Sequence, residues 1–501
     1  MLVTLPTQSS MARLRTRLAI RYIICVLITM YATKRWLAGQ PLLSDALPSY
    51  SGPYDVGTVD IEVPAAHPRK FSDVVHRETG DAAFELETVM FSIFYPSEKG
   101  VKGKGAKHMW IPESGKLYAE GYARFAGINT WFTNKLFEGS LWSLVGSTTI
   151  PAEVDVPIQG AEWLGKSEVV KKEEGQAILA GDTKETKKEQ FPIVVFSHGM
   201  ASGRTSYTHY LGELASRGYI VAAVEHRDGS GPGTIVYRAD GTQKTVFHAP
   251  ADALVPIPDT EELKKVQLSL REAEIEETIR VLRAINNGDG QDIHRANTRK
   301  EGDTLVHWHQ RLNFDQVIMA GHSYGATGAM QALKGAPTEL RPFIGGIALD
   351  PGKNSGPLNS NIDVPLLVIH SQSWSAKRSI FFGRPHFDTV KGVVESIRDK
   401  FHGGKKAGWF LTSKQTSHPS VTDAPLIEPT ILGWTTGATV DVKEGLMQYV
   451  LISKDFLTYL VDGKTHGALN EPVSHPKYNQ EIRKLPAGMG KFWQVHVSPI
   501  E

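Results

Sequence analysis

The sequence predicts an α/β fold, a mostly parallel, doubly wound sheet with helices on both faces. Three observations carry that expectation. Short apolar runs recur between residues 193 and 369, at Ile193 to Phe196, Ile220 to Val224, Val317 to Ala320, Gly346 to Leu349 and Leu366 to Ile369. Near-continuous apolar runs of this length suit strands buried on both faces of a parallel sheet. Helical stretches separate them, and the clearest, Thr260 to Ile285, repeats Leu268, Ile275, Ile279 and Leu282 along one face among Glu, Lys and Arg, the mark of an amphipathic helix. Finally, strands and helices alternate, which winds helices onto both faces and leaves a ligand site beyond the carboxyl ends of the strands.

Composition narrows the class. The 501 residues carry 55 Lys+Arg against 54 Asp+Glu, a formal charge of +1, so the basic footprint of a nucleic-acid binder is absent. A hydrophobic content of 41% with 22% charged residues is that of a globular chain rather than a disordered or polytopic one. The one cysteine, Cys25, excludes an intrachain disulfide and a multi-thiolate zinc site.

Residues 1–55 read as an N-terminal extension. It contains an apolar run, Tyr22 to Ala32, preceded by Arg13, Arg15, Arg17 and Arg21 and followed by Lys34 and Arg35. The run is shorter than a spanning helix needs and suits the hydrophobic region of a signal or anchor segment. An interfacial or targeting segment that adds nothing to the fold is the alternative. The extension thus leaves two compartments open, a membrane or secretory one through this segment and otherwise the cytoplasm. After a Pro/Ser/Gly-rich stretch from Pro41 to Pro53 the folded domain is expected to start near Val56 and to run to residue 501, with surface insertions between about 110 and 190. The first clear strand is Val89 to Tyr95, stopped by Pro96. Trp110 to Val145 is rich in aromatics, including Trp131, Phe132, Phe137 and Trp142. Such a segment either lies on a lipid surface or packs on the sheet. Lys166 to Gln190, dense in Lys and Glu of mixed sign, reads as a solvated insertion.

The candidate chemistry lies at strand ends. Gly321-His322-Ser323-Tyr324-Gly325 follows the apolar run Val317 to Ala320, and Ala326, Ala329, Met330 and Leu333 then recur at helical spacing. Small residues on both sides of Ser323 permit a sharp strand-to-helix turn that lifts its Oγ out of the sheet. A serine hydroxyl is a poor nucleophile, so it needs a base, a group to orient that base, and donors for the developing oxyanion. Ser197-His198-Gly199-Met200 ends an earlier strand, so the backbone N–H groups of Met200 and Tyr324 are the candidate donors. A plain strand-to-turn junction is the alternative reading of His198-Gly199. Asp350 ends the next strand before Pro351-Gly352 and is either the orienting acid or a turn former; Asp363 and Asp388 are rivals. The base should follow, and His370, His386, His402, His418, His466, His475 and His496 are the candidates. His418, a short loop beyond Trp409 to Leu411, stands where such a base is displayed. Glu225, His226, Arg227 and Asp228 read as a structural ion-pair and turn network.

With these residues assembled, the chain resembles the platelet-activating-factor acetylhydrolases of the plasma and cytosolic type II group, the lipoprotein-associated phospholipase A2 family, from about Thr88 to about Pro425. The resemblance is carried by Phe94-Tyr95-Pro96, Trp110-Ile111-Pro112, Gly146 to Ala152, Val195 to Gly199, Val221 to Asp228, Gly321 to Gly325 and Gly346 to Asp350, in the same order and at comparable spacing. Pro351-Gly352-Lys353 departs from the family's usual small and aromatic residues there. The resemblance implies an α/β-hydrolase fold, with Ser323 as nucleophile, Asp350 as acid, His418 as base, and Met200 and Tyr324 as oxyanion donors. It implies no metal and no cofactor. The implied reaction is hydrolysis of the short or oxidised sn-2 acyl ester of platelet-activating-factor-like phospholipids at a lipid surface, with peripheral membrane association. A carboxylesterase of small soluble esters and a catalytically silent hydrolase-like scaffold are the competing expectations.

Overall fold

The computed structural model describes residues 26, 29–37, 43–161, 188–353, 355–376, 386–400 and 407–500. A ten-stranded sheet runs through them, made of β1 (Asp55–Lys70), β2 (Glu85–Ser97), β3 (Glu153–Val154), β4 (Phe191–Ser197), β5 (Ile220–Val224), β6 (Leu312–His322), β7 (Phe343–Leu349), β8 (Leu366–Ser371), β9 (Gly408–Ser413) and β10 (Trp493–Val497). Their spatial order is β10-β9-β8-β7-β6-β4-β5-β2-β1-β3. From β9 across to β5 every pairing is parallel, and antiparallel partners flank this block on both sides. The expected doubly wound α/β sheet is therefore present, and β4 and β6, which carry the two motifs of interest, are neighbours at the point where the winding reverses.

The principal helices are α1 (Gly115–Phe125), α2 (Trp131–Val145), α3 (Thr208–Ala215), α4 (Thr260–Ala284), α5 (Tyr324–Ala332), α6 (Phe387–Lys400), α7 (Pro429–Thr436) and α8 (Val442–Asp462). Asp259 caps α4 by accepting from Glu262 N at 2.8 Å, and Asp441 caps α8 in the same way, each satisfying an otherwise orphaned N–H. Alternate strand residues feed two cores. Ile193, Val195, Val317 and Met319 pack with Ile275, Ile279 and Leu282 of α4 on one face. Val194, Phe196, Ile318 and Ala320 pack with Leu211 and Leu214 of α3 and Leu446 and Val450 of α8 on the other.

The first strand lies earlier than Val89: β1 begins at Asp55 and buries two carboxylates, Asp60 and Glu62. Asp60 pairs with Arg204 at 2.6 Å, and Glu62 with Arg227 at 2.6 Å and Arg299 at 2.8 Å. Strand β10 is likewise added at the far edge. Packing also begins upstream of Val56: Leu47 is buried in the second core, and Ser51 donates through both N and Oγ to Glu213 at 2.9 Å. The aromatic segment divides in two. Helix α1 turns Leu117 and Tyr118 inward, whereas α2 buries only Val145 and leaves Trp131 77% and Trp142 67% exposed, with Phe132 and Leu136 also outward.

Most of the Tyr22 to Ala32 run, with Cys25, lies outside the described residues, as do His402 and most of the Lys166 to Gln190 insertion. Among the described residues no helix is long and apolar enough to cross a membrane.

Candidate active site

The turn after β6 is built around backbone close approach. Ser323 sits at φ 56°, ψ −120°, a sparsely populated region for a side-chain-bearing residue. The glycines on either side make it possible. A Cβ on Gly321 would stand 2.3 Å from the Gly325 carbonyl oxygen, and one on Gly325 would stand 2.0 Å from that of Ser197. Ser323 N donates to Leu349 O at 2.8 Å, fixing the elbow against β7.

Asp350 follows at the end of β7, itself at φ 49°. One carboxylate oxygen accepts from Ser371 N at 2.6 Å, the other from Ser371 Oγ at 2.7 Å. That second oxygen also meets His418 Nδ1 at 2.8 Å. His418 begins a short 3-10 turn after β9, capped by reciprocal Ser417 and Ser420 bonds, and its N–H donates to Ser373 Oγ at 3.0 Å. Its Nε2 lies 3.0 Å from Ser323 Oγ. The imidazole is stacked on Trp374 at 3.9 Å and 9°, and Trp374 Nε1 donates to Pro351 O at 2.9 Å. Lys353, where the chain departs from the resemblance, is buried with Nζ 4.7 Å from the Trp374 ring centroid. Of the rival residues, Asp363 and Asp388 are exposed, His370 and His386 stack on one another away from Ser323, His466 faces Asp462, and His475 and His496 bond each other at the sheet edge.

His322 lies against His418 on its other flank, with ring centroids 4.5 Å apart. Burial first, then the neighbouring His418, push it down to about 3, so it stays neutral beside the reactive pair. Its Nδ1 bonds Tyr207 Oη at 2.9 Å, and that hydroxyl accepts from Gly199 N at 3.1 Å. The Ser197 to Met200 loop is thereby tied to the elbow. Met200 lines a cavity of about 240 Å³ together with Ser323, His418, Trp110, Tyr122 and Tyr207.

The cavity wall depends on a residue that sequence reading did not single out. Asp423 accepts from Trp110 Nε1 at 3.0 Å, Thr208 N at 2.8 Å, Thr208 Oγ1 at 2.7 Å and His209 N at 2.9 Å. One carboxylate thus fixes the Trp110 wall, caps the start of α3 and anchors the segment after His418. Its proximity to His418 in the sequence is the one signal available. The Glu225 to Asp228 segment forms the expected ion-pair network: Glu225 with Arg204, Arg227 with Glu62, and Asp228 with Arg271 at 2.7 Å. Among the described residues the group with metal-ligand geometry is His322, Asp350 and His418. Both imidazole nitrogens of His418 are already engaged, by Asp350 and Ser323.

Sheet order, strained elbow and the hydrogen-bonded serine, histidine and aspartate define an α/β-hydrolase. A family model described as Platelet-activating factor acetylhydrolase, isoform II, matches residues 43–165 and 168–468, so the chain belongs to that family, within the hydrolases acting on esters. The platelet-activating factor acetylhydrolase of Cavia porcellus is 25% identical over 388 residues, 74% of this chain and 72% of that protein. Its counterpart in Gallus gallus is 25% identical over 401 residues, 75% and 79%. Among solved structures, a ferulic acid esterase from Streptomyces cinnamoneus is similar with a TM-score of 0.50 at 15% identity, covering 90% of this chain and 98% of that one, a likeness of fold.

Proposed function

We propose that the protein is a metal-independent serine esterase that removes the short or oxidised sn-2 acyl group of platelet-activating-factor-like phospholipids at a lipid surface. The observation that carries this reading is the relay Ser323 Oγ, His418 Nε2, His418 Nδ1, Asp350 Oδ2, at 3.0 and 2.8 Å, opening into a small cavity. Ser323 Oγ attacks the ester carbonyl carbon while His418 Nε2 takes its proton. Asp350, pinned by Ser371, holds the imidazole in the tautomer with hydrogen on Nδ1 and stabilises the imidazolium that forms. The oxyanion is received by the N–H groups of Met200 and Tyr324. Tyr324 opens α5, where the first N–H groups have no intrahelical acceptor, and Met200 N donates to no protein acceptor among the described residues. The imidazolium then returns its proton to the departing lysophospholipid alkoxide, and a water activated by His418 releases the acid.

Membership of the acetylhydrolase family and the modest cavity support the substrate class. The lipid contact is supported by α2 and by Trp434 of α7, 87% exposed. Residues 44–45 tie the end of α2 to the segment just before α7: Ser44 Oγ donates to Leu144 O and Asp45 N to Ile427 O at 2.8 Å. Tryptophan is suited to such a boundary, its ring apolar and its N–H wet. With charges balanced overall, contact with lipid is expected to depend little on salt.

The test is acid release from vesicles carrying acetyl, short oxidised or long-chain sn-2 acyl groups, for the wild type and Ser323→Ala. Turnover restricted to the short chains and abolished by Ser323→Ala is expected. Activity surviving Ser323→Ala overturns the nucleophile assignment, and equal turnover of soluble esters and vesicle lipid overturns the lipid-surface part. Trp131→Ala with Trp142→Ala should weaken vesicle binding while preserving hydrolysis of a soluble acetate ester; unchanged partitioning removes α2 from the contact.

A further inference from the structure

The two oxyanion donors proposed above sit on separate segments, the loop after β4 and the first turn of α5, and one buried side chain touches both. Arg271, on α4, is fully buried. Its Nε bonds Asp228 Oδ2 at 2.7 Å and its Nη2 donates to Ser230 Oγ at 2.6 Å. Those bonds fix the plane of the guanidinium, and Nη1 then donates to the His198 carbonyl at 2.8 Å and to Ser197 Oγ at 3.2 Å. One face of the same group lies over the Tyr324 ring, with Cζ 4.4 Å from its centroid. A turn earlier on α4, Gln267 accepts from Tyr324 Oη at 2.9 Å and donates to Asp228 O at 2.9 Å, closing the arrangement.

The peptide unit joining His198 to Gly199 is consequently held at both ends, its carbonyl by Arg271 and its N–H by Tyr207 Oη. The next peptide unit carries the Met200 N–H. The carbonyl of that unit, Gly199 O, accepts from His198 Nδ1 at 2.8 Å, so the Met200 N–H direction is set by the His198 to Gly199 segment, whose His198 carbonyl Arg271 holds. On the other side, the Tyr324 ring belongs to the residue whose N–H is the second donor. We infer that Arg271 is the positioning residue of the oxyanion hole, setting the Met200 and Tyr324 N–H groups at a fixed separation through the His198 carbonyl and the Tyr324 ring. A planar fork with several donors and a stacking face is what the task needs, and a lysine ammonium offers neither the fork nor the face. This inference rests on the reading of Ser323 as nucleophile.

The experiment compares wild type, Arg271→Lys and Ser323→Ala in kcat and KM for an acetyl ester. It also measures the inhibition constant of a trifluoromethyl ketone, whose serine adduct carries the oxyanion. Folding is followed by thermal melting. Removing a donor typically costs about 10²–10³ in kcat, which bounds the cost of misplacing one. Arg271→Lys is therefore expected to lose about 10²-fold in kcat with KM within about twofold, and the ketone inhibition constant should rise by the same factor. The pH profile should stay unchanged, since His418 and Asp350 are untouched. A folded Arg271→Lys with kcat within about threefold of wild type, or with a lowered kcat and unaltered ketone affinity, overturns the inference. Should Arg271→Lys fail to fold, Tyr324→Leu removes the ring under the guanidinium while keeping the N–H. The same paired loss in kcat and ketone affinity is expected there, and its absence overturns the inference equally. Ser323→Ala separates the two levels: an inactive Ser323→Ala beside an unimpaired Arg271→Lys refutes the positioning role alone, whereas an active Ser323→Ala refutes the nucleophile itself.

Discussion

Asp350 has one oxygen committed to Ser371 N and the other shared between Ser371 Oγ and His418 Nδ1, so its carboxylate has little freedom to turn. Replacing it with Asn presents an N–H to His418 Nδ1 or to the Ser371 donors and favours the wrong imidazole tautomer. Asp350→Asn is expected to lower kcat by about 10³–10⁴ with little change in melting temperature, as steady-state kinetics and calorimetry will show. The imidazolium of the proposed mechanism would lie on the face of Trp374, where a cation is favoured by the ring quadrupole. These single residues differ in how legible they were. Ser323 declared itself through the glycines around it and the strand before it, and Asp350 through its place at a strand end. His418 was one histidine among seven, favoured by its loop after Trp409 to Leu411 and by the resemblance, and the structure separates it from the rest by its bonds to Asp350 and Ser323.

At the scale of elements, the site consists of strand ends brought into register. β4, β6 and β7 are neighbours, so the Ser197 to Met200 loop, the elbow and Asp350 emerge along one edge, and the helix after the elbow must lie against the loop after β4. Gly325 is where they touch. Gly325→Ala would drive a methyl into the Ser197 and His198 carbonyl oxygens. It is expected to cost about 1–3 kcal/mol of unfolding free energy and to remove activity at temperatures where the variant is still folded, measured by denaturant titration beside kcat. The parallel strands were legible because they are buried on both faces and read as unbroken apolar runs. β1 was not, because its Asp60 and Glu62 are buried against arginines far along the chain, a pairing that no local pattern contains. Helix α4 shows both outcomes. Its leucines and isoleucines marked one buried face correctly, while Gln267, Arg271 and Glu274, among the polar residues of the same helix, are buried as well.

For the whole molecule, those buried polar groups couple stability to pH. Burial first, then the nearby Asp228 charge, push Glu274 up to about 8, and its Oε2 lies 2.6 Å from His226 Nδ1. The neutral acid donates this bond, since burial also holds the His226 imidazole well below its ordinary range and leaves it uncharged. A carboxyl raised in the folded state binds more protons than the unfolded chain does. Its stabilisation is therefore complete below the unfolded value near 4.5 and is lost as pH rises through about 8. The depressed His226 acts with the opposite sign, its stabilisation fading as pH falls below about 6.5, so the two offset in the acid range and Glu274 alone remains above it. Between pH 6.5 and 8 the wild type is expected to lose on the order of 1–2 kcal/mol relative to Glu274→Gln. Urea melts across that interval provide the measurement, and parallel curves for the two proteins would place the titration elsewhere.

Trp374 lies flat on His418 inside the protein, an indole in van der Waals contact with the imidazole. Indole emission responds to what touches the ring, so the fluorescence difference between wild type and Trp374→Phe becomes an optical report on whether His418 keeps its stacked place. The position of that ring can then be followed by light in the resting protein, without substrate and without turnover.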